Sequence, residues 1–276
     1  MGKGKTGAIR QQALSKADFN AAERHGKRLD QMGPSRRVRD ADPLVYGSLD
    51  LVEARAKHME GVTQQGQTEA IHMLVQFPTD LKGVDLERNQ RAMLNHAVKF
   101  ANEYHGGDAV FAARLDRDEK GQHTVDVFLM PRHDFTYKDG RTQKRASVSK
   151  FSKERAKERF GKDDPRSQGQ ALQASWFEYL QRAGVKWVEP PQKKASRSKD
   201  RLEPEAYALA QDRARLADQQ AALASRLADV EAREEAILKA ARIIEAARRA
   251  EGRPVAPDLV AIADRGRRRR DPDQSR

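Results

Sequence analysis

The sequence contains no cysteine among its 276 residues. Disulfides, thiolate metal sites and cysteine nucleophiles are therefore excluded, and such a chain suits a reducing compartment. Aromatic residues make up only 6% of the chain and hydrophobic residues 38%, so a packed core can occupy only part of it. The longest apolar runs, such as "VDVFLM", are too short to span a membrane, and "MGKGKTGAIRQQ" has no apolar signal-peptide core. We therefore expect a cytoplasmic protein without a membrane span.

Positive charge is abundant instead. Lysine and arginine number 53 against 41 aspartates and glutamates, which gives a formal net charge of +12. A basic protein of this kind usually binds a polyanion, and nucleic acid is the commonest one. The composition therefore predicts a DNA- or RNA-binding protein.

The composition changes along the chain and indicates four segments. Residues 1–190 hold every histidine and every stretch with strand character, which predicts a folded domain. Residues 191–202 are rich in Pro, Lys, Ser and Arg and are typical of a basic linker. Residues 203–250 are dominated by Ala, Arg, Glu and Leu and predict one long helix. Residues 251–276 end in "RGRRRRDPDQSR", which predicts a disordered basic tail.

The long helix carries an apolar residue at a strict spacing of seven. Such a heptad repeat is typical of a coiled coil. The second core position is poorly apolar, with residues such as Arg213, Gln220 and Glu234. A homodimer through this helix and a helix that lies on its own domain both remain open. The apolar positions are Leu209, Leu216, Leu223, Val230, Ile237 and Ile244.

The first 190 residues alternate between strand and helix patterns. "GAIRQQAL" and "AIHMLVQFP" predict strands, and "DAVFAARLD" and "HTVDVFLMP" predict a hairpin. Helices are predicted at "KADFNAAERHGKRLDQM", "VDLERNQRAMLNHAVKFANEYHG" and "QGQALQASWFEYLQRAG". The order strand, helix, strand, helix, hairpin, helix favours an α+β domain with a largely antiparallel sheet and helices.

The connection of the predicted hairpin, "DRDEKGQH", is rich in residues that bind metals. Asp116 and His123 flank it, with Asp118, Glu119 and Asp126 nearby. A carboxylate and an imidazole that approach across a turn suit a hard or borderline divalent cation. The same residue types are also what any exposed turn uses. The residues alone leave a metal site and a solvated turn as alternatives.

The spacing "DRDEKGQHTV" resembles the third motif of the MobV group of Mob/Pre plasmid-mobilisation relaxases. That motif reads His-x-Asp-Glu-x-x-Pro-His-x-His. Asp116 stands at its first histidine, Asp118 and Glu119 match its acidic pair, and His123 matches its second histidine. Val125 stands at the third histidine position.

A second resemblance lies in "AIRQQALSKADFNAAERHGKRLD". This stretch is similar to the family's first strand and the helix with its His-Asn-x-Arg motif. His25 and Arg28 match, and Gly26 replaces the asparagine. If the helix continues, Arg28 lies one turn from His25 and faces the same side.

The resemblance implies an HUH-type relaxase fold and activity. In that family a histidine cluster holds a divalent metal, and a nucleophile joins the protein to the 5′ end of nicked plasmid DNA. By this resemblance His25 is the nucleophile, with Tyr46 as the weaker alternative, and Arg28 and Glu119 complete the catalytic residues. Asp116, His123 and Asp126 are the expected metal ligands, and replacing imidazole by carboxylate favours Mn²⁺ or Mg²⁺.

The resemblance also implies the partner, which is origin-of-transfer plasmid DNA, single-stranded at the nick site, in the bacterial cytoplasm. The expected function is binding and nicking of that DNA by metal-assisted transesterification. The alternative is a catalytically inactive relaxase-like protein that binds DNA in mobilisation, replication or recombination. In either case we expect phosphate contacts from basic side chains of two segments, namely Arg36, Arg37, Arg39, Arg141, Lys144, Arg145 and Lys150.

Overall fold

The structure is a computed structural model and describes residues 5–64, 66–191, 204–255 and 257–262. The chain divides into two compact units, Met1–Lys193 and Lys194–Arg276. Nearly all of the predicted linker and most of the predicted basic tail lie outside the described residues, so both assignments stay predictions.

The first unit contains the strands and most of the helices. Its strands are β1 Ala8–Leu14, β2 Leu44–Tyr46, β3 Thr63–Gln64, β4 Ala70–Gln76, β5 Val110–Leu115, β6 Thr124–Leu129, β7 Arg132–Thr136 and β8 Thr142–Ala146. Its helices are α1 Lys16–Gly26, α2 Met32–Arg36, α3 Leu51–His58, α4 Glu87–Tyr104, α5 Lys150–Phe160 and α6 Pro165–Arg182.

The strands form two sheets. The larger has the order β1-β4-β6-β5-β2, and every neighbouring pair in it is antiparallel. The smaller has the order β3-β8-β7. The predicted α+β fold with a largely antiparallel sheet is therefore confirmed. The sequence reading missed β2, α3, α5 and the β7–β8 hairpin, which are short or carry mixed polar and apolar residues.

One face of the larger sheet is mainly apolar. Strand residues of alternating position point to this face because side chains alternate along a strand. Helices α4 and α6 cover it with their own apolar residues. The cluster includes Ile71, Met73, Val75, Val125, Val127, Leu129, Met93, Ala97, Phe100, Leu172 and Trp176.

The opposite face carries a smaller apolar cluster at one end only. Helices α1 and α3 supply Phe19 and Leu51 to this cluster. The sheet supplies Ala70, Ala112, Phe128 and Met130 among others. Farther along the same face the alternating positions are polar, and they include His72, Arg114 and Asp126. The chemistry of the molecule is concentrated on this half-covered face.

The second unit contains the long helix α7, Pro204–Ala250. It runs without interruption for 47 residues, which confirms the predicted long helix. Its heptad residues are exposed, including Leu216, Leu223 and Ile237. Coiled-coil pairing and homodimerisation through this helix stay predictions. No helix within the described ranges is both long and apolar enough to cross a membrane.

Candidate active site

The candidate site lies where β5 ends and the acidic turn toward β6 begins. Asp116 directly follows β5, and Asp118 and Glu119 come next in the turn. Arg37, just beyond α2, forms an isolated antiparallel bridge to Glu119. Two backbone N–H groups, those of Val38 and Arg39, donate to the carbonyl of Asp118. The turn is therefore fixed by backbone contacts to the segment that follows α2.

Arg28 neutralises the acidic turn. Its Nε and Nη2 donate to the two carboxylate oxygens of Asp118 at 3.0 and 2.5 Å, and Nη1 donates to Glu119 Oε1 at 3.2 Å. Its Nη2 also lies 3.5 Å from Asp116 Oδ1. Bidentate pairs between arginine and carboxylate are among the stronger hydrogen-bonded contacts in proteins. Arg28 therefore holds three carboxylates at once.

The predicted continuous helix through Arg28 is wrong. Helix α1 ends at Gly26, and Arg28 has a left-handed backbone with φ of +57°. The N–H of Leu29 donates to the carbonyl of Arg24, and that of Arg28 to His25, which is a Schellman helix end. Glycine usually occupies the left-handed position, so an arginine there gives no stop signal in the sequence. Arg28 reaches the acidic turn by this chain reversal and not along a helix face.

Arg114 is a second cation beneath the first. Its Nε lies 3.3 Å from Asp116 Oδ2 and 3.5 Å from Asp126 Oδ2, and its side chain is only 6% exposed. Its Nη1 donates to the carbonyl of Ala22 at 3.2 Å. A Cβ atom at Gly26 would overlap the Arg114 guanidinium. Glycine at this helix position is therefore required by the arginine packed against it.

Asp126 is balanced by a histidine that the sequence reading missed. His72 on β4 has its Nε2 at 2.6 Å from Asp126 Oδ1, and its ring stacks on Phe128 at 5.0 Å. Burial alone would raise the pKa of Asp126, but Arg114 and His72 outweigh it and hold that pKa well below its usual range. The available signal was a histidine between Ile71 and Met73 in an otherwise apolar strand.

His25 lies on the last turn of α1 and faces the acidic turn. Its Nδ1 is 2.9 Å from Asp30 Oδ2, and its Nε2 is 3.8 Å from Glu119 Oε1. Burial would raise the pKa of Asp30, but the hydrogen bonds from His25 and the Gly33 N–H lower it. A carboxylate on Nδ1 fixes the ring orientation and leaves Nε2 available for chemistry.

Three side chains offer ligand atoms for a metal ion. One atom each from His25, Asp116 and Glu119 lie within 4.8 Å of one another. Asp116 is 9% exposed and its Oδ1 has no hydrogen-bond partner. Burial raises the pKa of Asp116 and of Glu119, so a nearby cation would stabilise their ionised forms. Two carboxylates and one imidazole fit a hard or borderline divalent cation.

This group of three overlaps only partly with the predicted ligands. Asp116 belongs to both sets, whereas His123 and Asp126 are not part of the group found among the described residues. The His123 Nε2 is buried without a hydrogen-bond partner, and burial lowers the pKa of His123. Asp126 is already engaged by Arg114 and His72. Metal binding by His123 and Asp126 stays a prediction.

The alternative nucleophile, Tyr46, is the last residue of β2. It pairs with Ala113 of β5 and is 41% exposed. Its partner Ala113 lies three residues before Asp116, so Tyr46 is set back from the acidic turn along the neighbouring strand. The Tyr46 hydroxyl takes no part in the contacts described above that hold this turn.

The predicted DNA-binding arginines fall in two places. Arg37 and Arg39 accompany the acidic turn, and Arg39 Nη1 donates to the carbonyl of Arg117 at 3.1 Å and to that of Glu119. Arg36 ends the adjacent helix α2. The second place is the β7–β8 hairpin, where the guanidinium of Arg145 stacks 3.6 Å from the centre of the Phe135 ring.

The remaining predicted contacts are on or beside the β7–β8 hairpin. Arg141 pairs with Asp139 and lies over the Tyr137 ring at 5.4 Å. Lys144 is exposed opposite Asp134 in the hairpin register. Lys150 begins α5 and pairs with a glutamate one turn later. DNA contact by these residues stays a prediction.

The fold described above is that of solved relaxase domains. One of them is the MobM relaxase domain (MOBV; Mob_Pre) bound to plasmid pMV158 oriT DNA, a 22-nucleotide strand with a 3′ thiophosphate, in a Mn-bound crystal structure. It is 14% identical over 74% of this chain and 98% of its own, with a TM-score of 0.50. A Mn-bound MobM complex with 23-nucleotide oriT DNA is 14% identical over 75% and 98%, with a TM-score of 0.49.

At this sequence identity the likeness establishes the fold alone. No family model and no curated protein matches the chain. The resemblance noted in the sequence is confirmed at the level of the fold, because the neighbour with a TM-score of 0.50 is a MOBV relaxase domain.

Proposed function

We propose that the protein binds origin-of-transfer plasmid DNA and nicks one strand by a metal-assisted transesterification. The observation that carries this proposal is the convergence of three groups on the open face of a relaxase-type fold. The His25 imidazole, oriented by Asp30, lies with Asp116 and Glu119 in one cluster. A nucleophile beside ligands for a divalent cation is what phosphoryl transfer requires.

His25 is the nucleophile in this proposal. The Nδ1 proton is held by Asp30, so the Nε2 lone pair attacks the scissile phosphorus. The new phosphorus–nitrogen bond forms as the bond from phosphorus to the 3′ oxygen breaks, and that oxygen takes a proton from solvent. The 5′ end of the cut strand stays on His25. Neutral imidazole is a competent nucleophile at neutral pH.

The carboxylates hold the metal in this proposal. A bound Mn²⁺ or Mg²⁺ supplies positive charge that offsets the charge developing on the phosphoryl oxygens. Asp116 and Glu119 are its ligands while His25 attacks, since one Nε2 lone pair cannot serve both the metal and phosphorus. His123 and Asp126, which the sequence also suggests as ligands, are each tested by substitution.

A second candidate function is DNA binding without catalysis. It is favoured by the two arginines within the site. Arg28 and Arg114 together already contact Asp116, Asp118, Glu119 and Asp126, so the protein's own two cations offset part of the negative charge of the cluster. In this version the relaxase-type domain binds plasmid DNA through its basic segments and His25 has no chemical role.

The two versions are separated by incubating the full chain with supercoiled plasmid that carries its own locus, with and without Mn²⁺. We expect a Mn²⁺-dependent nick and a covalent protein–DNA adduct. His25→Ala should abolish the adduct and leave DNA binding within about twofold, because a single neutral side chain contributes little to phosphate affinity. Tyr46→Phe is the matched control and should retain the adduct.

Three further outcomes are informative. His123→Ala or Asp126→Asn should raise the Mn²⁺ concentration needed for nicking if either residue is a ligand. DNA binding that weakens steeply with salt, without any nick, would favour the non-catalytic version. Binding that is absent, or indifferent to salt, would show both versions to be wrong.

A further inference from the structure

Arg28 reaches the acidic cluster only because its backbone adopts a strained, left-handed conformation. A left-handed conformation is strained for an ordinary L-residue, and glycine would avoid this strain. Such strain persists where the surrounding contacts over-determine it, and it is concentrated at functional sites. The contacts here are the hydrogen bonds of Arg28 to Asp118 and Glu119. The helix end is therefore built to deliver this guanidinium to the carboxylates.

Arg28 and a metal ion would share the same ligands. Two members of the three-residue group, Asp116 and Glu119, are ion-pair partners of Arg28. Asp116 is nine-tenths buried, its Oδ1 lacks a hydrogen-bond partner, and the Arg28 Nη2 is 3.5 Å from that oxygen. Two cations cannot both take the close positions around these oxygens, because their mutual repulsion is strong in a partly buried site.

Arg114 differs from Arg28 in mobility. Its guanidinium is enclosed between Asp116, Asp126 and the helix at Gly26, with a 6% exposed side chain. Arg28 is 20% exposed and is the second residue of the short connection between α1 and α2. Only Arg28 can leave the cluster without opening the sheet face.

We propose that Arg28 is an exchangeable counter-ion of this site, displaced by a divalent cation and then free to bind a DNA phosphate. This proposal rests on the metal and DNA binding proposed above and adds their coupling. Without metal, Arg28 keeps the carboxylates neutralised and the turn folded. When a metal takes Asp116 and Glu119, the guanidinium keeps Asp118 through Nε and Nη2 but loses its other two partners, and its Nη1 becomes available to the DNA backbone.

The exchange makes metal and DNA binding mutually dependent. A phosphate that draws Arg28 away leaves Asp116 and Glu119 free for the metal, so DNA tightens metal binding. Linkage then requires the metal to tighten DNA binding by the same factor. The site would therefore assemble fully only when both are present.

The first test measures Mn²⁺ binding to the full chain without DNA, by isothermal titration and by the electron paramagnetic resonance of free Mn²⁺. The key variant is Arg28→Asn, because asparagine tolerates a left-handed backbone and carries no charge. Removing the competitor should tighten Mn²⁺ binding about tenfold, as expected for losing one nearby cation in a partly buried site.

Two variants serve as controls. Arg117→Asn removes a positive charge from the same turn. Arg117 pairs with Glu87, which is not part of the group of three candidate metal ligands. This substitution should change Mn²⁺ affinity by less than about twofold, because its charge is paired with Glu87 and does not contact Asp116 or Glu119. Asp116→Asn should abolish Mn²⁺ binding.

The second test measures the salt dependence of DNA affinity with a mixed-sequence single-stranded oligonucleotide. In the wild-type protein Mn²⁺ should steepen the plot of log affinity against log salt by about one phosphate contact, on the order of 0.7 for single strands. In Arg28→Asn the steepening should be absent, because the guanidinium that makes the added contact is gone.

An unchanged or weaker Mn²⁺ affinity in folded Arg28→Asn would overturn the exchange. If that variant unfolds without metal, recovery of its folded circular dichroism spectrum by Mn²⁺ would support the proposal, since the ion then replaces Arg28. If Mn²⁺ fails to restore it, Arg28→Gly carries the comparison, because glycine also removes the charge and suits the left-handed backbone. Mn²⁺ affinity equal to that of the wild type would then count against the proposal. Nicking with intact Mn²⁺ affinity in every Arg28 variant would refute the exchange and leave the enzymatic function standing.

Discussion

The two faces of the larger sheet use the same strands for opposite purposes. Toward α4 and α6 the strands present Ile71, Met73 and Val125, all buried among apolar neighbours. Toward the open side the same strands and β5 present His72, Asp126 and Arg114, which pair with one another. The strand period of two separates these sets cleanly.

The residues that stabilise the fold and the charged residues of the candidate site lie on opposite faces of the sheet. Apolar burial stabilises a fold at roughly 25 cal/mol per Å² without requiring a partner of defined geometry. Buried ion pairs contribute little net stability, because desolvation offsets much of their attraction, yet breaking one partner is costly. The apolar face thus supports the fold, and the charged face holds a network of paired charges.

The largest expected effect breaks the apolar face. Trp176 on α6 is 1% exposed, and its ring meets those of Phe77, Phe100 and Tyr179. Trp176→Ala should lower the free energy of unfolding by about 3–5 kcal/mol, because it removes a large buried ring and leaves a cavity. Urea denaturation followed by circular dichroism measures this. A loss below about 1 kcal/mol would show that the helical layer is not the main support of the fold.

The next prediction tests the charged face. Substitutions at the two neighbouring carboxylates Asp126 and Asp116 should change the free energy of unfolding by smaller amounts and in different directions. Asp126→Asn should lower the free energy of unfolding at pH 7 by about 1–3 kcal/mol, because charged contacts to Arg114 and His72 are lost. Asp116→Asn should be neutral or stabilising by up to about 1 kcal/mol, because the fold raises the pKa of Asp116 and so disfavours its charge.

The pH dependence of these variants follows from the direction of each shift. The folded pKa of Asp126 is lowered, so its contribution is present above the ordinary value of 3.8 and is lost as pH falls through the folded pKa. The deficit of Asp126→Asn should therefore shrink below pH 3.8. The folded pKa of Asp116 is raised, so its ionisation costs stability as pH rises above 3.8. Equal losses in both variants at pH 7 would contradict this account.

The smallest expected effect concerns charges outside both faces. Arg182 on α6 pairs with Glu103 on α4 at 2.6 Å, and both side chains are largely exposed at 64% and 43%. Arg182→Ala should leave the free energy of unfolding nearly unchanged, because solvent screens exposed pairs. Thermal unfolding at low and high salt measures this. A loss comparable to that of Asp126→Asn would erase the distinction between surface pairs and the sheet network.

Much of the fold was predictable because strong periodicity specifies long elements. The strands β1, β4, β5 and β6 and the helices α4, α6 and α7 follow patterns of two, 3.6 or seven residues that tertiary contacts do not override. The β7–β8 hairpin was missed because most of its residues are polar or exposed, and the strand β2 was missed because it is short. Three residues are too few to establish a period.

The site was predictable in part. Residue type and spacing in the sequence identify Asp116, Glu119 and His25 as candidate site residues. The structure places ligand atoms of all three together. The sequence does not indicate that His72 lies opposite Asp126, because this contact depends on strand register. It also does not indicate that Arg114 lies beneath the acidic turn. The position of Arg28 was mistaken because a left-handed arginine at a helix end carries no local signal.

The contact between Arg114 and Gly26 restricts the order in which this site can change. Any side chain larger than glycine at position 26 overlaps the guanidinium, so an asparagine there requires a smaller residue at 114 first. Shortening Arg114 alone leaves Asp116 and Asp126 facing each other without their shared cation. Each single step is thus disfavoured, and changing both positions together removes the overlap but still leaves the two carboxylates without their shared cation. Redesign of the site toward a histidine-rich metal centre should therefore begin with both positions changed together.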